Sequence, residues 1–124
     1  LLGGALENTV AAMGVDPGQL LAWLGPAIGP ALFEVGPEVR AAFLAAAGPA
    51  HLAQTDACFV PSSSTAGHYM ANLYALARLR LAALDSGSIC GGEFCTVTEK
   101  DRFFSYRRDG RTGRMASLIL IKSP

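Results

Sequence analysis

The sequence is short of charged residues, and the charges that it has cancel. Only 16% of the 124 residues are charged, and ten Lys and Arg residues balance ten Asp and Glu residues. A chain without net charge has no general electrostatic attraction to nucleic acid or to an anionic membrane, so we expect neither as a partner. With 51% hydrophobic residues, the composition excludes a disordered chain and predicts one domain over residues 1–124.

The chain also lacks a membrane span and a secretion signal. No uninterrupted apolar run reaches about 18 residues, so no transmembrane helix is predicted. Residues 1–15 show no basic region and no cleavage-like site, which argues against a signal peptide. The three cysteines form an odd and irregular set, which is a poor disulfide framework. These absences predict free thiols and a cytoplasmic protein.

Motifs of the common catalytic and metal sites are missing as well. The chain contains no CxxC, HExxH, GxGxxG, P-loop or GxSxG pattern. The histidines, His51 and His68, have no local signature, and we expect His68 to open a helix at its solvated end. Cys95 would be a nucleophile only with a base nearby, so a buried and inert thiol is the favoured interpretation for it and for Cys58 and Cys90.

Hydrophobic periodicity and turn residues predict alternating helices and strands. Helices are predicted at 4–13, 37–47 and 68–84, with a short one at 98–106 that Thr98 would cap. Strands are predicted at 20–25 (buried), 57–61, 88–97 and 114–121, the third interrupted by Gly91-Gly92 as in a bulge or a close backbone approach. This order predicts an α/β fold, a layered mixed sheet with flanking helices.

One stretch, FFSYRRDGRTGR at residues 103–114, departs from the low charge of the rest. Five of its twelve residues are charged, and four of these are arginines. Residues 99–114 carry a net charge of +3, whereas residues 1–50 carry a net charge of −3. The basic residues therefore form a local patch near the end of the chain.

The patch has the chemistry of an anion site. A guanidinium group matches phosphate or carboxylate oxygens in a bidentate way, and Gly110 and Gly113 would let the backbone turn and offer N–H groups. Arg107 and Arg108 are adjacent, so in an extended segment at most one of them would enter a given site. A solvated Asp-Gly turn is the structural alternative.

The segment WLGPAIGP (23–30) is a second candidate, because two Gly-Pro steps follow a predicted strand. Such steps make a rigid backbone, and ligands of α/β sheets tend to bind at the carboxyl ends of strands. A plain structural loop is equally compatible, since turns consist of Gly and Pro. The residues alone thus predict an α/β domain with one candidate anion site near residues 105–114.

Four segments together resemble the bacterial laccase-domain family, whose members are known as polyphenol oxidases, purine nucleoside phosphorylases and peptidoglycan editing factors. They are LLAWLGPAIGPALFEVGPEVRAAFL (20–44), ANLYALARLRLAAL (71–84), GGEFCT (91–96) and DRFFSYRRDGRTGRMASLIL (101–120). They occur in the family's order and spacing. The resemblance implies an α/β/β/α sandwich, of which this chain would be about the carboxyl-terminal half.

The resemblance also implies a metal-dependent purine nucleoside phosphorylase, which acts on adenosine and inosine with phosphate and deaminates adenosine as a side activity. It implies one zinc ion, in some members copper, bound by two histidines and a cysteine that lie upstream. A His-Ala-Gly-Trp-Arg-Gly motif would come directly before residue 1. No residue of this chain matches those ligands, so we predict no metal ligand and expect the isolated chain to be inactive.

Carried over residue by residue, the resemblance implies that this half completes the pocket around the metal. A pocket wall is predicted at Gly25, Pro26 and Ile28, and the polar and cationic side at Ser105, Arg107 and Arg108. An arginine of SYRR would then face an anionic or polar group of the substrate and stabilise developing charge. Purine nucleoside and phosphate are the expected partners.

Three other functions stay open. A peptidoglycan-precursor editing enzyme would act on a nucleotide-linked muropeptide, whose phosphates would suit the arginines. A copper-dependent polyphenol oxidase ranks lowest, because one His/Cys/His site is not a multicopper cluster. A non-catalytic interaction fragment would use the fold without the metal, and exposed apolar surface would favour its self-association.

Overall fold

The computed structural model, which describes residues 1–120 and 122, contains both helices and strands. Within these residues the helices are α1 (Ala5–Met13), α2 (Pro37–Ala46), α3 (Leu52–Asp56), α4 (Leu73–Ala82) and α5 (Tyr106–Asp109). The strands are β1 (Leu21–Leu24), β2 (Glu34–Val35), β3 (Phe59–Pro61), β4 (Tyr69–Ala71) and β5 (Ser88–Gly91). None of the helices in this part of the chain has the length and apolarity needed to cross a bilayer.

The strands form two small sheets with different pairing. β1 and β5 pair in parallel, whereas β2, β4 and β3 form an antiparallel sheet with β4 at its centre. Parallel strands need a long crossover connection, and the helices α2, α3 and α4 lie in the connection from β1 to β5. The predicted α/β class, with mixed strand pairing and flanking helices, is confirmed.

The core lies between the antiparallel sheet and the helices α2 and α4. Its buried residues are Val35, Phe43, Cys58, Phe59, Ala71 and Leu76. Phe43 of α2 packs on Phe59 of β3 with the ring centroids 5.7 Å apart. Burial of these apolar side chains is the main driving force that holds the helices on the sheet.

The helix predicted over 68–84 starts later than expected. Residues Tyr69–Ala71 form the central strand β4 instead, paired with β2 and β3. The helix α4 begins at Leu73 because the Asn72 side chain accepts a hydrogen bond from the N–H of Ala75 at 3.0 Å. Asn is a favoured residue at this capping position, since its oxygen satisfies a free N–H of the first turn.

The late start of α4 also changes the place of His68. This residue lies half-buried before β4, not at a solvated helix end, so that prediction is wrong. Its Nδ1 atom is buried and has no hydrogen-bond partner among the described residues. The imidazole is therefore part of the packed structure around the antiparallel sheet.

The strand β5 is shorter than the predicted strand over 88–97 because two glycines end it. Gly91 and Gly92 have left-handed φ angles of 79° and 88°, which glycine adopts without strain. A Cβ atom at Gly91 would lie 2.5 Å from the carbonyl oxygen of Leu24. The predicted close backbone approach at these glycines is confirmed.

The short helix predicted over 98–106 is displaced toward the carboxyl terminus. Residues 96–102 contain turns, and the Thr98 hydroxyl donates to the carbonyl of Cys95 at 3.4 Å instead of capping a helix. The helix α5 follows, and Ser105 caps it by accepting the N–H of Arg108 at 3.3 Å.

The strand predicted over 114–121 is wrong for the described part, and Ile121 lies outside the described residues. Residues 114–120 have no partner strand, and Leu118 and Leu120 are each 87% exposed. An extended segment becomes a strand only when a neighbour pairs with its N–H and C=O groups. Among the described residues, no strand takes that place.

One edge of the parallel sheet, along β5, is blocked by the side chain of Arg78. Arg78 of α4 donates from Nη1 to the carbonyl of Ile89 at 3.1 Å and from Nη2 to the carbonyl of Gly91 at 2.5 Å. Backbone groups of alternate residues point to opposite edges of a strand, and these two carbonyls point away from β1. The guanidinium thus satisfies the edge where a further strand would bind.

The opposite edge, along β1, is open. The main-chain groups of Leu21 and Trp23 point away from β5, and no strand of the described residues lies beyond them. Their side chains are 79% and 42% exposed. The segment 20–25 is therefore a strand, as predicted, but it is not the buried strand that its apolar sequence indicated.

Candidate functional site

Two loops lie side by side at one end of the parallel sheet: residues 25–30 after β1 and residues 92–99 after β5. Since β1 and β5 run in parallel, both loops leave the sheet at its carboxyl end. Ala27 and Cys95 form a parallel bridge, and the N–H of Thr96 donates to the carbonyl of Ala27 at 3.0 Å. The predicted wall of Gly25, Pro26 and Ile28 therefore belongs to one of two adjoining loops. The place where residues 25–30 and 92–99 bond each other is called the loop crossing below.

Tyr74 of α4 fastens the two loops to each other. Its hydroxyl accepts the N–H of Ala27 and donates to the carbonyl of Phe94, both at 2.7 Å. Burial raises the pKa of the Tyr74 hydroxyl above its ordinary value. The proton that bonds Phe94 is consequently retained at neutral pH, and the two loops stay joined.

Cys95 lies in the middle of the crossing. The N–H of Gly29 donates to its Sγ at 3.2 Å, and a Cβ atom at Gly29 would lie 3.1 Å from that sulfur, so a larger residue would crowd the thiol. Burial raises the pKa of the thiol, but hydrogen bonds from Thr98 and from the N–H groups of Gly29 and Val97 outweigh this effect and lower the pKa to about 7. Much of the thiol is therefore thiolate at neutral pH.

The three cysteines are free, as predicted, but their environments differ. Cys58 is buried, and burial raises its pKa, which matches the expected inert thiol. Cys90 is exposed and Cys95 is half-buried, so the expectation of burial is wrong for both. This difference could not be predicted from local sequence, because it depends on the tertiary neighbours of each sulfur.

Arg108 is held entirely by its own chain. Its Nε and Nη2 donate to the carboxylate of Asp109 at 2.7 and 2.8 Å, and this bonding keeps the pKa of Asp109 below its usual range. The remaining N–H groups bond the carbonyls of Thr96, Val97 and Phe103 at 3.0 to 3.1 Å. A guanidinium has five N–H groups, and all five of Arg108 are used.

Ser105 has a structural position as well. It is buried, and its hydroxyl caps the helix α5. Because Thr96 bonds both Ala27 and Arg108, the segment of Ser105 and Arg108 is tied to the loop crossing. The structure thus brings the two predicted halves of the site into one hydrogen-bonded unit.

Arg107 is exposed, and its side chain extends toward Glu34, whereas that of Arg108 extends toward Thr96. The Nη1 of Arg107 donates to the carbonyl of Glu34 at 3.1 Å, and its guanidinium lies over the ring of Phe33, 5.5 Å from the centroid. Among the described residues these contacts occupy one of its five N–H groups. Arg107 therefore keeps donors that Arg108 does not have.

The carboxylate of Glu34, next to the carbonyl that holds Arg107, is enclosed by hydroxyls. Ser62, Ser64 and Thr65 all donate to it, the last two at 2.7 and 3.1 Å. These hydrogen bonds hold the pKa of Glu34 below its usual range, so the group is ionised at neutral pH. Ser62, Ser64 and Thr65 thus fix the chain around Glu34, a role that the sequence analysis did not predict.

Two clefts lie beside this unit and meet at Met115. The first has a volume of about 470 Å³ and is lined by Pro26, Arg102, Phe103, Met115, Ala116 and Ser117. The second has a volume of about 410 Å³ and is lined by Phe104, Tyr106, Gly110, Arg111, Thr112, Gly113, Arg114 and Met115. Of the predicted site residues, Pro26 lines the first cleft, and Arg107 and Arg108 line neither.

The described residues do not form a metal site by themselves. No group of three or more His, Cys, Asp or Glu side chains in residues 1–120 and 122 has the arrangement to hold a metal ion. These residues therefore do not fit a zinc or copper ion, and we assign them no role as metal ligands.

We predict that Tyr74→Phe destabilises the protein by about 1–3 kcal/mol, because the half-buried N–H of Ala27 and carbonyl of Phe94 lose their partner. Urea unfolding would measure the change. The matched control is Tyr106→Phe, whose side chain is 78% exposed and whose loss of a hydroxyl should change stability by less than about 0.5 kcal/mol. Equal effects of the two substitutions would contradict the assigned role of Tyr74.

A second prediction concerns the pH dependence of Cys95. Its alkylation by iodoacetamide should increase with pH through a midpoint near 7, below the ordinary thiol value of 9.0, because the folded protein stabilises the thiolate. Peptide mass spectrometry between pH 5 and pH 10 would give the rate for each cysteine. Cys58, which is buried with a raised pKa, should stay unmodified and serves as the internal control. A midpoint for Cys95 near 9 would show that the loop does not stabilise its thiolate.

Comparison with known families gives a match over almost the whole chain. The family model described as "Multi-copper polyphenol oxidoreductase laccase" matches residues 1–122. This match agrees with the resemblance that the four sequence segments indicate.

Curated relatives are similar over nearly the same residues. "Purine nucleoside phosphorylase PA4543" of Pseudomonas aeruginosa is 52% identical over 122 residues, which are 98% of this chain and 48% of that protein. "Purine nucleoside phosphorylase YfiH" of Escherichia coli is 50% identical over 121 residues, which are 98% of this chain and 46% of that protein. The chain thus spans about half the length of the curated relatives it matches.

Solved structures show the same fold. The crystal structure of a Neisseria meningitidis protein, NMB0706, has a TM-score of 0.77 and 46% identity, and the match covers 88% of this chain and 42% of that one. A hypothetical protein YfiH of Bacillus licheniformis has a TM-score of 0.70 and 26% identity, with 88% and 39% covered. Sequence and fold agree: the chain belongs to the multi-copper polyphenol oxidoreductase laccase family.

Proposed function

We propose that this chain forms part of a metal-dependent purine nucleoside phosphorylase. The observation that carries the proposal is the identity of 50 to 52% over nearly the whole chain to two relatives with that name. Phosphorolysis joins a phosphate oxygen to C1′ of the ribose and breaks the bond to the purine, which leaves with the bonding electrons and takes up a proton. The substrates would be adenosine and inosine, with adenosine deamination as a side activity, in the cytoplasm.

In this proposal the chain contributes one side of the substrate pocket. Gly25, Pro26 and Ile28 would form a wall that Tyr74 keeps in place through Ala27. The open cleft beside Pro26 supports this role, because its volume of about 470 Å³ lies within the range of about 300–1,000 Å³ that is common for small-molecule sites.

The arginines of SYRR would have different tasks. Arg108 and Ser105 would hold the loop crossing, because their polar groups are already bonded within the chain. Arg107 would provide the cationic side, because it is exposed and keeps N–H groups that no described residue accepts. A guanidinium at this place would orient the phosphate for attack and reduce the repulsion between charged reactants.

A zinc ion, or copper as the second choice, would be bound by residues outside this chain. The described residues do not fit such an ion, so no step of the reaction is assigned to it. Self-association belongs to the proposal as a secondary property, since Leu118, Ile119 and Leu120 expose an apolar segment.

The test places this chain in a full-length relative. In a chimera, the matched segment of the Pseudomonas aeruginosa protein is replaced by residues 1–122, and chromatography follows the release of adenine and hypoxanthine from adenosine and inosine. We expect release that depends on phosphate, accompanied by ribose 1-phosphate. The isolated chain should release no base, because it spans about half of that relative.

The unmodified relative is the positive control, and its melting temperature shows whether the chimera is folded. A folded chimera that releases no base contradicts the proposal. Parallel assays of phenol oxidation and of hydrolysis of a nucleotide-linked muropeptide would then identify the alternative function.

A further prediction concerns Arg107. In the active chimera, Arg107→Gln should raise the KM for phosphate about 10- to 100-fold, the usual value of a lost charge-assisted hydrogen bond, and leave the KM for inosine nearly unchanged. Lys100→Gln, an exposed residue of the same basic stretch, is the matched control and should leave both constants unchanged. Equal effects of the two variants would mean that Arg107 acts only through its charge and not through a specific contact with phosphate.

A further inference from the structure

The eight arginines of the chain differ in whether they have partners. Six of them contact groups of the chain: Arg40 pairs with Asp56, Arg80 with Glu7, Arg102 with Glu99 and Arg108 with Asp109, while Arg78 and Arg107 donate to carbonyls. Arg111 and Arg114 are exposed and have neither an ion pair nor a hydrogen bond from their guanidinium groups among the described residues. Both line the cleft of about 410 Å³.

The backbone between these two arginines offers further donors. Gly110 has a left-handed φ of 69°, and the chain turns there directly after α5. The N–H groups of Thr112, Gly113 and Arg114 have no hydrogen-bond partner within residues 1–120 and 122. Successive free N–H groups beside guanidinium groups are the typical environment of a bound phosphate.

The same cleft contains two aromatic side chains that solvent reaches. Phe104 is 52% exposed and Tyr106 is 78% exposed, although the core buries other aromatic rings. The backbone of Gly113 packs closely against the ring of Phe104, since a Cβ atom at Gly113 would lie 2.7 Å from Cε2 of that ring. A ring that is packed on one side and open to solvent elsewhere is suited to stacking against a flat base.

We propose that the cleft lined by Phe104, Tyr106 and residues 110–115 binds a nucleotide. The base stacks on the two aromatic rings, and the phosphate is bound by the guanidinium groups of Arg111 and Arg114 and the free N–H groups between them. The volume of about 410 Å³ is within the common range for such ligands, about 300–1,000 Å³. This binding site does not depend on phosphorolysis, for which Arg107 and the wall of Pro26 are proposed.

The first experiment measures binding of AMP to the protein by isothermal titration calorimetry, with adenosine, ribose 5-phosphate and inorganic phosphate as separate arms. We expect AMP to bind at least tenfold more tightly than each of the other three, because it alone uses the rings and the arginines together. Higher salt should weaken AMP binding and leave adenosine binding nearly unchanged.

Single substitutions test the two halves of the site. Arg111→Gln and Arg114→Gln should each weaken AMP binding about tenfold and leave adenosine binding unchanged. Tyr106→Ala should weaken AMP and adenosine alike, and its exposed side chain makes loss of folding easy to exclude by melting temperature. Lys100→Gln removes the same charge from the same basic stretch outside the cleft, so AMP affinity should change less than twofold.

Three results would overturn the proposal. AMP that binds no more tightly than inorganic phosphate would leave only an anion site. If Lys100→Gln weakened AMP binding as much as Arg111→Gln, the overall positive charge and not the cleft would explain the binding. No measurable AMP binding by the folded protein would remove the site altogether. Each result is independent of the chimera assay, so the two proposals can fail separately.

Discussion

The bond between the Tyr74 hydroxyl and two loops is the constraint on which the site depends. The parallel pairing of β1 with β5 brings both loops to one end of the sheet, and their distance is set by the Tyr74 oxygen, which bonds both Ala27 and Phe94, together with the hydrogen bond from Thr96 to Ala27. That distance places the sulfur of Cys95 against the N–H of Gly29. It also presents the Thr96 carbonyl to Arg108. A helix residue far away in sequence thus holds the loop that carries Gly25, Pro26 and Ile28, to which Arg108 is bonded through Thr96.

The arginines of the basic stretch are of two kinds: one is fully bonded within the chain, and others are exposed at a cleft. Arg108 joins the loop crossing to α5 through its hydrogen bonds. Because its five N–H groups are all occupied, it has no donor left for a ligand. Arg111 and Arg114, a few residues later, face a cleft without partners among the described residues. Identical side chains in one short segment therefore differ in their bonding, because the Asp109 carboxylate and three carbonyls lie within reach of Arg108.

Much of the fold could be predicted from local sequence signals, but elements that depend on pairing between strands could be predicted less well. Gly14 and Pro37 mark the end of α1 and the start of α2, so both helices were predicted within a residue or two. Tyr69–Ala71 has helical periodicity, and only pairing with β2 and β3 makes it a strand. For the candidate site, local charge indicates the basic stretch, but it does not distinguish Arg108 from Arg111 and Arg114, since the partners of Arg108 come from distant turns.

The capping of β5 by Arg78 makes the parallel sheet one-sided. A strand can be added beside β1, where Leu21 and Trp23 present their main-chain groups, and not beside β5, where the carbonyls of Ile89 and Gly91 are already bonded. If two copies met through β1, each would use the one open edge that the described residues leave on this sheet. Both edges of the parallel sheet would then be occupied, so pairing through it would stop at two copies.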